Sequence, residues 1–577
     1  MTRLAWLKNI VWRALAIVSC APLFPWVLLA LCAAAYAPLI TRLGFYWDDF
    51  PISWIASTMG GEGLARYFST NRPVWGLIYR ATTPLLGSTP LTWQVFGLLM
   101  RWVTGLALWG LLRQIWPERP RFSTWAAMLF VLYPGFSQQF IAFMYSHFYI
   151  VLTSLLLSLW LMVLAQRSRT GSARQRRWFW PLTAASVLLS LLNLLAMEYF
   201  FLLDLLRPAI LWIILRKDFP DARRRLQQVL IAWLPYLAVF AGAVYWRSFL
   251  FGFQTYQPTL LSRLRTEPLQ ALAGLLATMM QDIWKASAGA LAKAFTVPTA
   301  EQVGAANLRR YWVFVTGGAL LASLYILLYR PAEPPAKRAQ AVQTWALEPA
   351  AAGLLALALA GGPFWLTDLE IGLVFPNDRF ILPFMLGASL AAAGLLSFLP
   401  LPEWIKSILL GTALGFTIGL HFQSAIVYNR DWSVQRSMFW QMVWRMPDLQ
   451  PGTALLSNEL PVTHYTDNSL SAPLNWIYDP NNDPHVMRYM LFYPTLRKSE
   501  NLGGFQPGRA IQHDYLAATF YGNTSQMVTF YYQPPGCLRV LDPEVETVNW
   551  MVPAYLRDTL SLSTTAPILP APPGGKP

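Results

Sequence analysis

Apolar residues run in stretches of about twenty along most of this chain, broken by short polar connections, at about 14–40, 92–112, 123–140, 146–166, 178–197, 199–215, 228–246, 310–329, 346–366, 380–399 and 405–426. About twenty apolar residues in a helix cross the hydrocarbon core of a bilayer, so the pattern predicts a polytopic α-helical membrane protein of about eleven transmembrane helices. The connections at 134–146 and 197–199 carry weak turn signals. Re-cutting the spans there removes them in pairs and preserves the parity.

Two regions depart from this rhythm. In the loop of about residues 41–91, Ile52, Ile55 and Met59, then Leu64, Phe68, Val74, Trp75, Ile78 and Tyr79, recur at three and four, with Arg66, Arg72 and Arg80 between them. That spacing predicts two short amphipathic helices lying in the membrane plane, joined at Met59-Gly60-Gly61-Glu62-Gly63. A second in-plane helix is expected around Tyr256 to Leu264. From Asn429 onward apolar runs shorten, and Met527–Tyr532 and Cys537–Leu541 read as short strands. The division expected is a transmembrane domain at 1–428, a small mixed α/β domain at 429–563 and a disordered tail at 564–577.

Composition fits this picture: 55% of residues are hydrophobic and 13% charged, which excludes an ordinary soluble enzyme. Charge adds the orientation. Lys and Arg number 44 against 29 acids, a net of +15. Every second connection is basic: Arg3, Lys8 and Arg13; Arg113, Arg119 and Arg121; Arg167 to Arg177; Arg216 to Arg225; Arg330, Lys337 and Arg338; and Lys406. These segments hold the whole excess, so the positive-inside rule places the N-terminus in the cytoplasm and everything beyond about residue 426 outside. The basicity reports topology, and no nucleic-acid partner is expected. The N-terminal run is read as a first span, because it is too long for a signal-peptide core and its removal would spoil the alternation. Cys20, Cys32 and Cys537 are too few and too scattered for a disulfide framework or a metal cluster.

Candidate chemistry gathers on the external side. Asp48 and Asp49 follow the first span, among Tyr46, Trp47, Phe50 and Trp54. One Asp ahead of Phe50-Pro51 serves as a helix cap. A second beside it adds like-charge repulsion and desolvation, which raise a carboxyl pKa and suit a general base. Arg379, in Pro376-Asn377-Asp378-Arg379-Phe380, is placed to grip a phosphate, or else to snorkel or pair with Asp378. His147, in Tyr145-Ser146-His147, offers a proton carrier or an interface hydrogen bond. Glu198 falls where the fifth span turns back and is a site candidate as an ionisable residue at depth. Arg72 is a further candidate phosphate contact, and Tyr46 a substrate contact. Asp204 and Arg207 look like a private intrahelical pair.

A long first external loop with an acidic pair just after the first span, in-plane helices, about eleven spans and an external C-terminal domain resembles the GT-C superfamily of membrane glycosyltransferases. Within it the chain is most similar to the protein mannosyltransferase and aminoarabinose-transferase type. The resemblance implies an enzyme of a cell membrane, the bacterial cytoplasmic membrane, that moves a sugar from a polyprenyl-phosphate donor to an unknown extracytoplasmic acceptor with inversion. It implies Asp48 as base and Asp49 as its orienting partner. The adjacent pair differs from the Asp-x-Asp metal motif of the oligosaccharyltransferase branch, so no cofactor is called for and a divalent metal is not expected. Two other classes share the architecture: a transporter or flippase, which needs charges mid-span on broken helices, and a non-catalytic scaffold that binds lipid-linked sugars, which predicts that Asp48 tolerates change.

Overall fold

The computed structural model describes residues 21–251, 258–329, 345–479, 485–493, 508–515, 518–546 and 551–568. Arg3, Lys8, Arg13, the start of the first span, the basic connection Arg330 to Arg338, Tyr256 and residues 569–577 lie outside the described residues.

The long elements follow the apolar runs. In chain order they are α1 (Phe24–Tyr36), α2 (Asp49–Phe68), α3 (Pro73–Leu86), α4 (Pro90–Ile115), α5 (Pro120–Val131), α6 (Ala142–Thr170), α7 (Phe179–Ala196), α8 (Arg207–Ile214), α9 (Ala222–Tyr245), α10 (Thr259–Thr266) and α11 (Pro268–Trp284). They continue as α12 (Ala305–Leu328), α13 (Leu347–Leu366), α14 (Phe384–Phe398) and α15 (Glu403–Arg445). Proline stands at the first or second position of several, where its missing N–H costs nothing and its fixed φ favours the first turn.

Among the described residues eight helices are long and apolar enough to cross a membrane: α1, α4, α6, α7, α9, α12, α13 and α15, with the turns that extend them. The other three expected runs fold as shorter pieces. The run 123–140 becomes α5 and a 3-10 turn at Gln138–Phe140, divided at Pro134-Gly135. The run 199–215 is a 3-10 segment, Phe201–Leu206, leading into α8, and 380–399 is a 3-10 turn at Asn377–Ile381 followed by α14.

Glycine lets the backbones of these helices touch. A Cβ on Gly415 of α15 would sit 2.5 Å from the Val315 carbonyl oxygen of α12, and one on Gly411 would sit 2.8 Å from the Ser323 nitrogen. Gly411, Gly415 and Gly419 therefore form a small-residue stripe at four-residue spacing, the close-packing device of helices in lipid. Gly353 of α13 and Gly387 of α14 meet in the same way: a Cβ on either would lie within 2.6 Å of a backbone nitrogen on the partner helix.

In the first loop the expected junction is present and takes the form of a kink. Gly60, at φ 65° and ψ −164°, breaks α2 between two helical halves. The second expected helix is itself divided, because Pro73 opens α3 after the turn at Ser69–Asn71. Around the other expected in-plane segment, α10 carries the predicted period but is followed directly by α11.

The last helix runs well past its expected end at 426. With 43 residues α15 is about 65 Å long, twice the thickness of a hydrocarbon core, so it runs on past the length of one crossing, with Tyr428 and Trp432 against Tyr46 and Phe50 of the first loop. It delivers the chain to β1 (Thr453–Ser457), fully buried and paired in parallel with β3 (Tyr489–Phe492) and β6 (Met527–Tyr531). The four-stranded sheet has the order β3-β1-β6-β7, where β7 is Arg539–Val540. A smaller sheet sets β5 (Ala518–Asn523) between β2 (Val486–Met487) and β4 (Ala510–Tyr515). Helix α16 (Asp467–Tyr478) packs on β3 and also on α2, so the C-terminal domain rests on the first-loop helix.

Candidate functional site

Asp48 and Asp49 sit at the start of α2, yet their environments differ. Asp49 is fully buried and accepts hydrogen bonds from the backbone N–H groups of Met144 at 2.9 Å and Phe143 at 3.3 Å. Those groups belong to the first turn of α6, whose own N-cap position, Ile141, offers no side-chain acceptor. Asp49 therefore caps a helix other than its own, placing a carboxylate on the positive end of the α6 dipole. Its carboxyl is nonetheless raised well above the usual range, because burial outweighs the two N–H groups and the neighbouring Asp48 adds to the rise.

Asp48 is half-buried and occupies the N-cap position of α2 without capping it. The surrounding protein pushes its carboxyl up to about 6, against the pull of the Arg379 guanidinium, a hydrogen bond from the Trp47 side chain, and Arg72. The group is ionised at neutral pH but still basic enough to accept a proton, which is what a general base needs. Trp47 itself lies at φ 46°, a left-handed conformation that costs energy for an aromatic residue. That turn directs the indole to Asp48 while its ring packs edge-on against Phe375 at 4.7 Å.

Two cations reach the pair from different elements. Arg379 lies in the 3-10 turn before α14, with its guanidinium 4.7 Å from the Phe380 ring. Its neighbour Asp378 is fully buried and accepts from the backbone and hydroxyl of Ser137 and from the Gln138 amide. Arg72 precedes α3 and forms a two-pronged pair with Glu198, one prong at 3.1 Å. Glu198 also faces Arg247, at 3.5 Å. Burial alone would raise the Glu198 carboxyl; Arg72 and Arg247 outweigh it and hold it down at about 2. One carboxylate between two guanidinium groups leaves a net positive cluster.

This cluster opens on a cavity of about 790 Å³. Glu198 and Arg247 stand in its wall, and most of the remainder is apolar, including Phe201, Leu205, Phe240, Val244 and Phe380. Neither Asp48 nor Arg379 lines it; Arg72, through Glu198, is the link between the cavity and Asp48.

His147 and Tyr46 lie near the acidic pair with their polar atoms engaged by other groups. His147 is buried with both ring nitrogens engaged, Nδ1 with the Phe143 carbonyl and Nε2 with the Thr82 hydroxyl, each at 2.8 Å, and it stacks on Tyr79 at 3.6 Å. Tyr46 is buried, accepts from the Gly44 N–H at 3.0 Å and presents its ring to Tyr428 of α15. Asp204 and Arg207 form their pair, completely buried, and recruit Ser190 and Ser158 from α7 and α6. Sequence reasoning missed Arg247. A single arginine directly after the apolar run that ends at Tyr245-Trp246 was the available signal. Among the described residues no group of three His, Cys, Asp or Glu side chains is arranged to hold a metal ion.

No family model matches the chain, and no curated protein matches it. Two solved structures of ArnT from Cupriavidus metallidurans align with it at 13% sequence identity. The apo state covers 85% of this chain and 85% of that one with a TM-score of 0.28. The state bound to undecaprenyl phosphate covers 88% and 92% with a TM-score of 0.31. Likeness at that level assigns neither fold nor activity.

Proposed function

We propose that this chain is an inverting glycosyltransferase that takes a sugar from a polyprenyl-phosphate donor, with Asp48 as general base. The observation that carries the reading is the junction of three features: a half-buried carboxyl with a raised pKa, a cluster of guanidinium groups beside it, and an apolar cavity that opens on that cluster. A lipid-linked phosphosugar needs those three surfaces, for its proton, its phosphate and its chain.

In the proposed step the acceptor hydroxyl gives its proton to Asp48 as its oxygen bonds to the anomeric carbon. The bond from that carbon to the phosphate oxygen breaks, its electron pair stays on the phosphate, and polyprenyl phosphate departs. Arg72, Arg247 and Arg379 meet the charge that develops on the leaving group. Asp49 sets the position of its neighbour through its grip on α6. The expected arrangement, with the N-terminus inside and the C-terminal domain outside, puts this chemistry on the extracytoplasmic face.

The test is turnover of a panel of polyprenyl-phosphate sugars, each offered with a panel of hydroxyl-bearing acceptors, by the purified chain in liposomes, read as released polyprenyl phosphate together with glycosylated acceptor. Asp48→Asn is expected to fold and to lose roughly two or more decades of rate, the range of general-base loss. Undiminished release by that variant rejects the assignment. Donor binding with no release by the unaltered chain supports a scaffold, and movement of intact donor between leaflets a flippase.

A further inference from the structure

Asp431 lies in the second half of α15, is completely buried, and is absent from the chemistry described above. Its Oδ2 accepts from the backbone N–H groups of Thr463 at 2.9 Å and His464 at 3.0 Å, and from His464 Nδ1 at 2.8 Å. Three donors on one oxygen fix a loop of the C-terminal domain to the helix. With Nδ1 so engaged, Nε2 of His464 makes no hydrogen bond among the described residues. The imidazole is held by rings instead: it stacks on Tyr428 at 3.6 Å, meets Phe375 edge-on at 4.8 Å and faces Tyr46 at 6.4 Å. Phe375 is the ring on which Trp47 packs, and Trp47 immediately precedes Asp48, whose carboxyl its side chain holds down.

We propose that the Asp431–His464 pair is a positioning device for Asp48: it presses His464 on Phe375, and Phe375 in turn holds the strained Trp47 turn with its indole on the Asp48 carboxylate. The C-terminal domain then completes the site rather than sitting beside it. Its helix α16 also packs on α2, the helix that Asp48 precedes. The inference rests on Asp48 being the base. His464 is a positioning residue, because it acts through Phe375 and Trp47.

The physical readout follows from the Trp47 side chain, which lowers the Asp48 carboxyl. An indole N–H donated to a carboxylate favours the charged form, so loosening it raises the carboxyl pKa and moves the acid limb of the kcat profile to higher pH. The charged and titratable groups facing Asp48 are Arg379, Arg72, Asp49, Tyr67, Tyr79 and Tyr145. Those facing His464 are Asp431 and, through it, Arg430, together with Tyr428 and Tyr46, the latter also within reach of Arg436. Replacing His464 leaves the set around Asp48 unchanged, so a moved limb reports on Trp47.

The experiment measures kcat and KM against pH for the full chain in liposomes, with the polyprenyl-phosphate sugar and hydroxyl acceptor that turn over in the panel described above. His464→Ala is expected to lower kcat roughly tenfold, to leave the donor KM within about twofold, and to move the acid limb up by about half a unit or more. Trp47→Phe, which removes the N–H but keeps a ring, should move the limb in the same direction, and the double variant should move it no further. If His464→Ala does not fold, His464→Asn is read in the same way, since its amide keeps a donor for Asp431 and loses the ring on Phe375. A fall in kcat with an unmoved limb, or additive shifts in the double variant, overturns the proposal. Full activity in Asp48→Asn instead removes the catalytic reading on which it stands.

Discussion

The Asp49 carboxylate takes the backbone N–H of Met144 at 2.9 Å, tying the first-loop helix to the start of a transmembrane helix 95 residues further on. The cap that an Asp ahead of Phe50-Pro51 promises is real, but it is made on another helix. Two adjacent acids of the same type thereby separate into a buried anchor and a half-buried group free for chemistry.

Asp49→Ala removes that anchor and leaves the Phe143 and Met144 N–H groups without an acceptor. The expected cost is about 1–2 kcal/mol, the range for losing an N-terminal cap, seen as a lower melting temperature in detergent. Asp48→Asn should melt with the unaltered chain; equal losses from both variants would place Asp48 in the scaffold as well.

Activity should have an acid limb near pH 6. The Asp48 carboxyl stands at about 6, raised by burial, and its ionised form is the one that takes a proton. Turnover therefore rises as pH increases through that value and levels off above it. The stability effect has the opposite sign. A carboxyl whose folded pKa lies above its unfolded value favours the folded state below the unfolded pKa, and that contribution is lost as pH rises from about 4 to the folded value. A flat rate between pH 5 and 8, with folding intact, would remove Asp48 as the base.

Arg379→Ala should raise the donor KM roughly tenfold, the usual loss for one charge-assisted phosphate contact, while melting stays unchanged. An unaltered donor affinity assigns Arg379 to the interface alone.

The Asp204–Arg207 pair is fully buried, and the guanidinium Nη2 that meets Asp204 also donates to the Ser158 hydroxyl. Arg207→Met strands the Asp204 carboxylate and should cost roughly 3–5 kcal/mol. Changing both residues, Asp204→Leu with Arg207→Met, should recover most of that loss, because no unpaired charge remains. Detergent melting of the single and double variants beside the unaltered chain decides it.

Gly415→Val would drive side-chain carbons into the Val315 carbonyl, which already lies 2.5 Å from an ideal Cβ position. Separation of α12 from α15 is expected, read as lost thermal stability; a neutral outcome would mean the two helices hold together by other contacts.

The long apolar runs were legible because a bilayer imposes one length on every crossing segment, and that length is a local property of the chain. The Gly60 kink was legible as well, since a Gly-rich junction between two periodic stretches admits few other conformations. The shortened runs were less so: α5, α8 and α14 have the composition of spans, but Pro and Gly placement divided them. His147 illustrates a residue whose type promised chemistry while its neighbours used both ring nitrogens.

By itself the sequence determined the helical membrane architecture, the segment holding the acidic pair and the shift to a strand-containing domain, because each depends on patterns within some twenty residues. The partition of Asp48 from Asp49, the clamp of Glu198 on Arg72 and Arg247, and the seat of His464 on Asp431 were decided only by the tertiary structure. Those contacts join residues between 33 and 126 positions apart. A pKa or a hydrogen bond depends on what lies within a few ångströms in space, and no periodicity along the chain encodes that.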